Sequence, residues 1–455
     1  MSYPIRAGVF ALFASLTLGA ALAASDLERH WPQWRGPHGN GVAPQGDPPT
    51  TWSETANVRY KVEIPGRGHA SPVVWGDRIY LLTAIDAEPP AAAKPDAGAP
   101  SFRERGASPD HDLRFVVLAL DRATGKTVWE STVLKARPHE GTHTDGTWAS
   151  ASAITDGERV WAFFGSRGIY CVKSSDGEVL WQRDLGDMQT RMGFGEGSTP
   201  VLAGDTLVIN WDHEGESFIV ALDAKTGAER WRAPRDESTS WSTPHVVEVD
   251  GQRQVVVNAT GKVRSYDLAT GKVVWEVGGM TANAIPTPVS ANGLLFVTSG
   301  FRGNALKAIR LAGARGDLAG SPAVVWSHDR DTPYVPSPLL YDNVLYFLKG
   351  NTGILSALDA ATGKVHYGPA RLEGVEGVYA SPVGAAGRLY VVGRNGATAV
   401  LAAGPELKVL SVNRLDDGFE ASPAIVGREI YLRGRRHLYA IAETPAAKEA
   451  PAAKQ

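Results

Sequence analysis

A twelve-residue phrase, LALDRATGKTVW at 118–129, returns as VALDAKTGAERW at 220–231, RSYDLATGKVVW at 264–275 and SALDAATGKVHY at 356–367. A phrase that recurs at this scale is a building unit, and it constrains the fold more than any other feature of the 455-residue chain. A second phrase alternates with it. A Ser/Thr-Pro step opens an apolar run at Pro72, Pro200, Pro244, Pro288, Pro338, Pro382 and Pro423, and Ala153 occupies the same slot in SAITDGERVWAFF. The slots from 153 to 423 are spaced by about 45 residues, the period of propellers and solenoids.

Each unit reads as four strands, A to D. The Pro step begins strand A, a GD- or NG-type turn leads to strand B, and the D-x-x-T-G turn joins strands C and D. Alternating β-branched and aromatic residues support strands. In the D-x-x-T-G turn the Asp side chain can accept a backbone N–H two residues on, and the Gly supplies positive φ. Eight residues after the Asp slot a large ring stands on strand D, where it can fill the wedge between neighbouring sheets: Trp129, Trp181, Trp231 and Trp275, with Tyr367 in the same position. Trp326 belongs to a unit whose C–D turn is enlarged. These tryptophans are assigned to structural docking. The high glycine and proline content, 50 and 29 residues, suits many short strands and tight turns.

The eighth unit lacks strand D at its C-terminal end. VRYKVEIPG at 58–66 can supply it, because Tyr60 precedes Pro72 by 12 residues, much as Trp231, Trp275 and Trp326 precede their next Pro by 13, 13 and 12. The sequence therefore predicts an all-β, eight-bladed propeller over 58–443, with residues 58–64 closing the ring as the outer strand of the last blade. An open solenoid is the alternative. Residues 1–24 read as a secretory signal peptide, with Arg6, an apolar core and Ala21-Leu22-Ala23 as the cleavage site. Residues 25–57 are expected to pack on the propeller, 86–113 to form a mobile loop insertion, and 444–455 to form a disordered tail. An exported, periplasmic or extracellular monomer with no membrane span after cleavage is expected.

The phrase A-x-D-x-x-T-G-K-x-x-W resembles the tryptophan-docking repeat of quinoprotein propellers, and the match covers 58–442. WPQWRGPHGNG at 31–41 is similar to the mature start of exported PQQ-binding-like repeat proteins. The resemblance implies one of two functions: a pyrroloquinoline-quinone (PQQ) dehydrogenase, or a cofactor-free binding protein. The dehydrogenases typically carry a vicinal disulfide, which Cys171, the only cysteine, cannot form, and haem-bearing relatives carry C-x-x-C-H. No cofactor is therefore expected; PQQ with calcium is the alternative.

Strand order places the D–A and B–C connections on one face. Residues just before each Pro step should ring a central funnel: His69, Trp148, Glu196, Trp241, Asn283, Tyr334, Tyr379, Phe419 and Glu420. Aromatic walls with a few polar groups suit a ligand, and no catalytic residue is assigned. Candidate metal groups are Asn210, Asp212 and Glu214, which echo half of a calcium loop, and His139, His143 and Asp145. Trp31 and Trp34 should pin the N-terminal segment, and Arg433 to His437 should solvate a turn. A net charge of −3 gives no field for nucleic acid. The leading reading is an exported non-catalytic binding or scaffold propeller whose loop face meets a protein or carbohydrate partner. A PQQ-dependent alcohol or sugar dehydrogenase comes second. A carbohydrate-active hydrolase or lyase using Glu196 and Glu420 comes third.

Overall fold

The computed structural model describes residues 26–88 and 108–443. The expected signal peptide, the central part of the expected 86–113 insertion and the expected C-terminal tail lie outside the described residues. Eight antiparallel four-stranded sheets follow one another along the chain. Blade 1, for example, comprises Val73–Trp75, Arg78–Asp86, Leu113–Asp121 and Thr127–Ala136. In blade 3 the inner strand Val201–Ala203 is almost wholly buried, whereas the outer strand Glu229–Pro234 mixes half-buried and exposed residues.

The last blade is completed by the other end of the chain. Val58–Glu63 pairs antiparallel with His437–Ala442, in the register Lys61 with Tyr439 and Val62 with Leu438. Propeller closure removes the open sheet edges that a solenoid would have to cap.

The D-x-x-T-G turns repeat one geometry. Asp223 Oδ1 accepts the N–H and hydroxyl of Thr226, both at 2.9 Å, and Gly227 follows at φ 69°. In all four such turns the N–H three residues beyond the Asp is bound, and at Asp223 the N–H of Lys225, two residues on as expected, is bound as well at 3.1 Å. Gly227 also has to be glycine for contact, since a Cβ there would lie 2.6 Å from the Trp181 ring. That ring donates its Nε1 to Ala224 O at 3.1 Å, so each docking ring stacks on one turn of the next blade. Trp129 binds Ser174 O, Trp231 binds Leu268 O and Trp326 binds Ala360 O in the same way. In the closing blade Tyr60 takes this position: its hydroxyl donates to Arg122 O at 3.1 Å, and its ring lies against Gly125.

Trp275 departs from the pattern. The enlarged C–D turn of the next blade replaces the usual turn, and Gly316–Asp317 adds a parallel fifth strand beside it. Leu311, Ala314 and Leu318 bury the ring completely, and its Nε1 finds no partner.

One hydroxyl from each blade forms a ring around the axis. The residue before each Pro slot donates its N–H to the hydroxyl of the next blade's equivalent. Ser71 binds Ser152 at 2.9 Å, Ser152 binds Thr199 at 3.1 Å, and Thr199 binds Thr243 at 3.1 Å. Thr243 binds Thr287 at 3.1 Å, and Thr287, Ser337 and Ser381 bind Ser337, Ser381 and Ser422 at 2.9 Å each. Ser422 then binds Ser71 at 2.9 Å. The Pro step therefore supplies two things at once. Proline holds the residue before it extended, and that residue satisfies a buried N–H of the adjacent blade.

The N-terminal segment crosses the opposite face. Trp31 pairs with Val74 of blade 1, Pro32 O accepts from Thr155 of blade 2, and Ala43 donates to Gly384 O of blade 7. Further along, Thr50 O accepts from Ser411 and Asn413, and Trp52 N–H donates to Asn413, which anchors the segment on the outer strand of blade 7.

Candidate functional site: an aromatic funnel on the propeller axis

The D–A and B–C loops surround an open cavity of about 410 Å³. Its walls are aromatic: Trp241, Phe194, Tyr379 and the stacked pair Phe301–Tyr334, with ring centroids 4.9 Å apart. Its floor is the hydroxyl ring, seven of whose eight members line it, together with Trp34. The Trp34 Nε1 reaches Ser422 Oγ at 3.4 Å. The same indole and three ring threonines border a second cavity of about 570 Å³ on the opposite face, so this layer separates the two spaces.

Polar groups gather on the wall made by blades 7, 8 and 1. Arg394 donates to Asp145 at 2.6 Å and to Glu420 at 3.0 Å, and its guanidinium lies over the Tyr379 ring at 4.4 Å. The Tyr379 hydroxyl donates to Asp145 at 3.1 Å. Arg435 also donates to Glu420 at 3.0 Å, and His69 stands 3.7 Å from the other Glu420 oxygen. Burial alone would raise the Glu420 carboxyl, but Arg435, His69 and Arg394 outweigh it and hold it below the ordinary value. Burial pushes His69 down to about 4 despite Glu420, so at neutral pH it is the uncharged imidazole.

Of the nine residues expected around the funnel, His69, Glu196, Trp241, Tyr334, Tyr379 and Glu420 line it. Three do not. Phe419 is fully buried and packs edge-on against Tyr439 in the core. Trp148 turns aside to donate to Glu140 O at 3.1 Å. Asn283, at φ 55°, is buried, with its amide 3.5 Å from the Tyr334 hydroxyl. Position before the Pro step fixed the loop but not the side chain's direction.

The metal candidates are regrouped. Asp212 is held on both oxygens by fully buried Arg235, at 2.6 and 2.9 Å, and also accepts from Ser240 and Asn210. Glu214 accepts from Thr239. Asp212 is thus taken up in a buried ion pair with Arg235, which Asn210 joins by a hydrogen bond, while Glu214 is bonded separately to Thr239. The 139–145 group splits in two: His143 and Asp145 face the funnel, whereas His139 turns outward. There His139, Glu140 and Glu196 bring ligand-type atoms within 4.8 Å of one another. Glu196 receives the Ser166 N–H at 2.7 Å and its hydroxyl at 2.5 Å, and Glu140 receives Thr190. Burial, reinforced by Glu140, raises the Glu196 carboxyl well above the ordinary range. Gly165, at φ 57°, makes room for it; a Cβ there would overlap Glu196 Oε2.

Arg433, Arg435 and His437 do not simply solvate a turn. Arg433 is buried on Leu82 O, Arg435 holds Glu420, and His437 stands 3.1 Å from Asp417. Sequence reasoning missed Arg394, Phe194 and Phe301, which lie outside the repeated phrases. It also missed the hydroxyl ring, although all eight members stood in the quoted Pro steps.

A family model described as outer membrane protein assembly factor BamB matches residues 42–210, 113–277 and 215–444. The chain belongs to this family of PQQ-like repeat propellers. No curated protein matches the chain. Among solved structures, BamB from Moraxella catarrhalis aligns at a TM-score of 0.58 with 12% identity, over 85% of this chain and 100% of that one. A quinohemoprotein alcohol dehydrogenase from Comamonas testosteroni aligns at 0.58 with 11% identity, over 95% and 85%. A europium-containing methanol dehydrogenase aligns at 0.61 with 10% identity, over 92% and 99%. At these identities the structural likeness speaks for the fold, which the BamB-type family shares with the dehydrogenases.

Proposed function

We propose that the protein is an exported, non-catalytic binding propeller, monomeric on its own, whose central funnel receives an aromatic or sugar-like group of a protein or carbohydrate partner. The observation that carries this reading is the aromatic cavity whose acidic groups are already engaged. Trp241, Tyr334 and Tyr379 line the cavity with aromatic surface, the last two already backed by Phe301 and Arg394, while Asp145 and Glu420 are neutralised by Arg394 and Arg435. Such a wall offers apolar contact with a fixed polar edge, which suits recognition.

A PQQ dehydrogenase is the second reading, and the residues present do not fit its cofactor. Calcium needs six to eight oxygen ligands. The funnel carboxylates are bonded to Arg394, Arg435 and Ser166, and Asn283 does not line the cavity. Cys171 is buried, and burial pushes its thiol up to about 12. A hydrolase fares no better, because Glu196 and Glu420 belong to separate networks.

The deciding experiment has two arms. Calorimetric titration with aromatic peptides and with oligosaccharides should give binding that Trp241→Ala weakens at least tenfold. Titration with PQQ and calcium, followed by a dye-linked assay on alcohols and aldoses, should give no turnover. Turnover above about 1 s⁻¹, the low end for enzymes, that is lost in Glu196→Gln would replace the binding reading with the dehydrogenase.

A further inference from the structure

We infer that a small inorganic anion, a halide or an oxyanion, sits on the propeller axis against the Arg35 guanidinium, beside the ring of eight Ser/Thr hydroxyls.

Arg35 belongs to the WPQWRGP phrase and is 1% exposed. Its Nη2 donates to Asn40 O at 2.8 Å and to Pro338 O at 2.7 Å. Its Nε and Nη1 are enclosed and have no partner, and no carboxylate among the described residues pairs with it. A guanidinium stays charged in a protein. An enclosed charge without counter-charge is among the most expensive features a fold can carry. The other buried arginines differ: Arg235 has Asp212, and Arg433, which also has no carboxylate, leaves no enclosed nitrogen unpartnered beside its bonds to the Leu82 and Ala70 carbonyls.

The contacts of the segment place this charge on the axis. Pro338, which Arg35 binds, directly follows the ring member Ser337. Trp34, the preceding residue, touches the ring at Ser422, and Gly41 and Ala43 pair with Gly384, three residues beyond the blade 7 ring member Ser381. The Arg35 charge also acts on His245, two residues after the ring member Thr243. Arg35 and the residues on either side of it thus touch blades 6, 7 and 8, and its charge is felt in blade 4, which puts the guanidinium near the centre.

The ring supplies donors there. Each ring oxygen accepts an N–H from the neighbouring blade, and among the described residues none of the eight hydroxyls donates to a protein acceptor. The axis therefore carries one full positive charge, two orphaned guanidinium nitrogens with three N–H groups between them, and a circle of O–H groups that donate to no protein acceptor. Water could bond to the N–H groups but would not neutralise the charge. An anion does both.

Two measurements test this. In crystals soaked in sodium bromide, diffraction at the bromine edge should place an anomalous peak within hydrogen-bond distance of Arg35 Nε or Nη1. In melting experiments at constant ionic strength, replacing gluconate by chloride, bromide or phosphate should raise the wild-type Tm by about 2–4 °C, the scale for saturating one site in a chain this size. Arg35→Met should show no such response. If Arg35→Met fails to fold, the wild-type melts and the bromide peak decide. Only water at the axis, or a bromide peak with no anion-specific change in wild-type Tm, overturns the proposal. So does an Arg35→Met protein that melts above wild type in every salt.

Discussion

Ser422 closes a circle on Ser71. Its N–H donates to the Ser71 hydroxyl at 2.9 Å across 351 residues of sequence, joining the last blade to the first at the axis. The outer strand Val58–Glu63 makes a second closure at the rim, so the ends of the propeller are fastened at two radii.

The inner closure can be tested alone. Ser381→Ala removes the acceptor of the Ser337 N–H and leaves that group buried without a partner. The expected cost is about 1–3 kcal/mol by chemical denaturation. Ser381→Thr should retain stability, because threonine already serves at 199, 243 and 287. Equal losses for Ala and Thr would mean that packing rather than the hydroxyl matters.

The docking rings should rank by burial. Trp231→Ala and Trp275→Ala remove large rings from between blades, at a cost on the order of 3–5 kcal/mol. Trp275, with no exposed surface and a whole turn folded over it, should be the more damaging. The same denaturation curves check the order; a mild effect at Trp275 would show that the 311–318 turn collapses into the space.

Removing residues 25–66 should leave His437–Ala442 as a bare edge and strip the cover from blade 7. Aggregation in light scattering is the expected outcome. A monomeric product with unchanged melting would show that the outer closure carries no stability.

Acid and neutral pH should act through different groups. His69 and His245 have folded values lowered by burial to about 4 from an ordinary 6.5. The unfolded chain binds their protons first, so stability falls as pH drops from 6.5 through 4. His245→Gln should flatten part of that slope. Glu196 has the opposite sign: its raised folded value means stability is lost as pH rises from the carboxylate range toward neutrality. Glu196→Gln, measured in chelator, should therefore gain on wild type at pH 8 relative to pH 5. A parallel pair of pH curves would show that Glu196 ionises normally.

Much of the scaffold was legible because repetition makes the same physics visible many times. Four Asp-Thr-Gly turns, the ring before each Pro step and the missing eighth strand D define eight closed blades without any long-range information. The site was less legible because its polar groups meet across the ring. Arg394 and Asp145 are 249 residues apart and lie in unrelated loops, so no spacing could have paired them. Asp212 shows the converse. Its local pattern pointed to calcium, but Arg235, two strands later, takes both of its oxygens.

The rim closure also sets an order of events during synthesis. Val58–Glu63 is made before any complete blade, yet its sheet partner among the described residues, His437–Ala442, is made after the other seven blades. The earliest strand therefore waits unpaired while seven blades form. A chain that stops short of residue 437 can never engage it, so completion of the polypeptide is itself the condition for a sealed molecule, and unfinished products carry an exposed strand by which they can be recognised and removed.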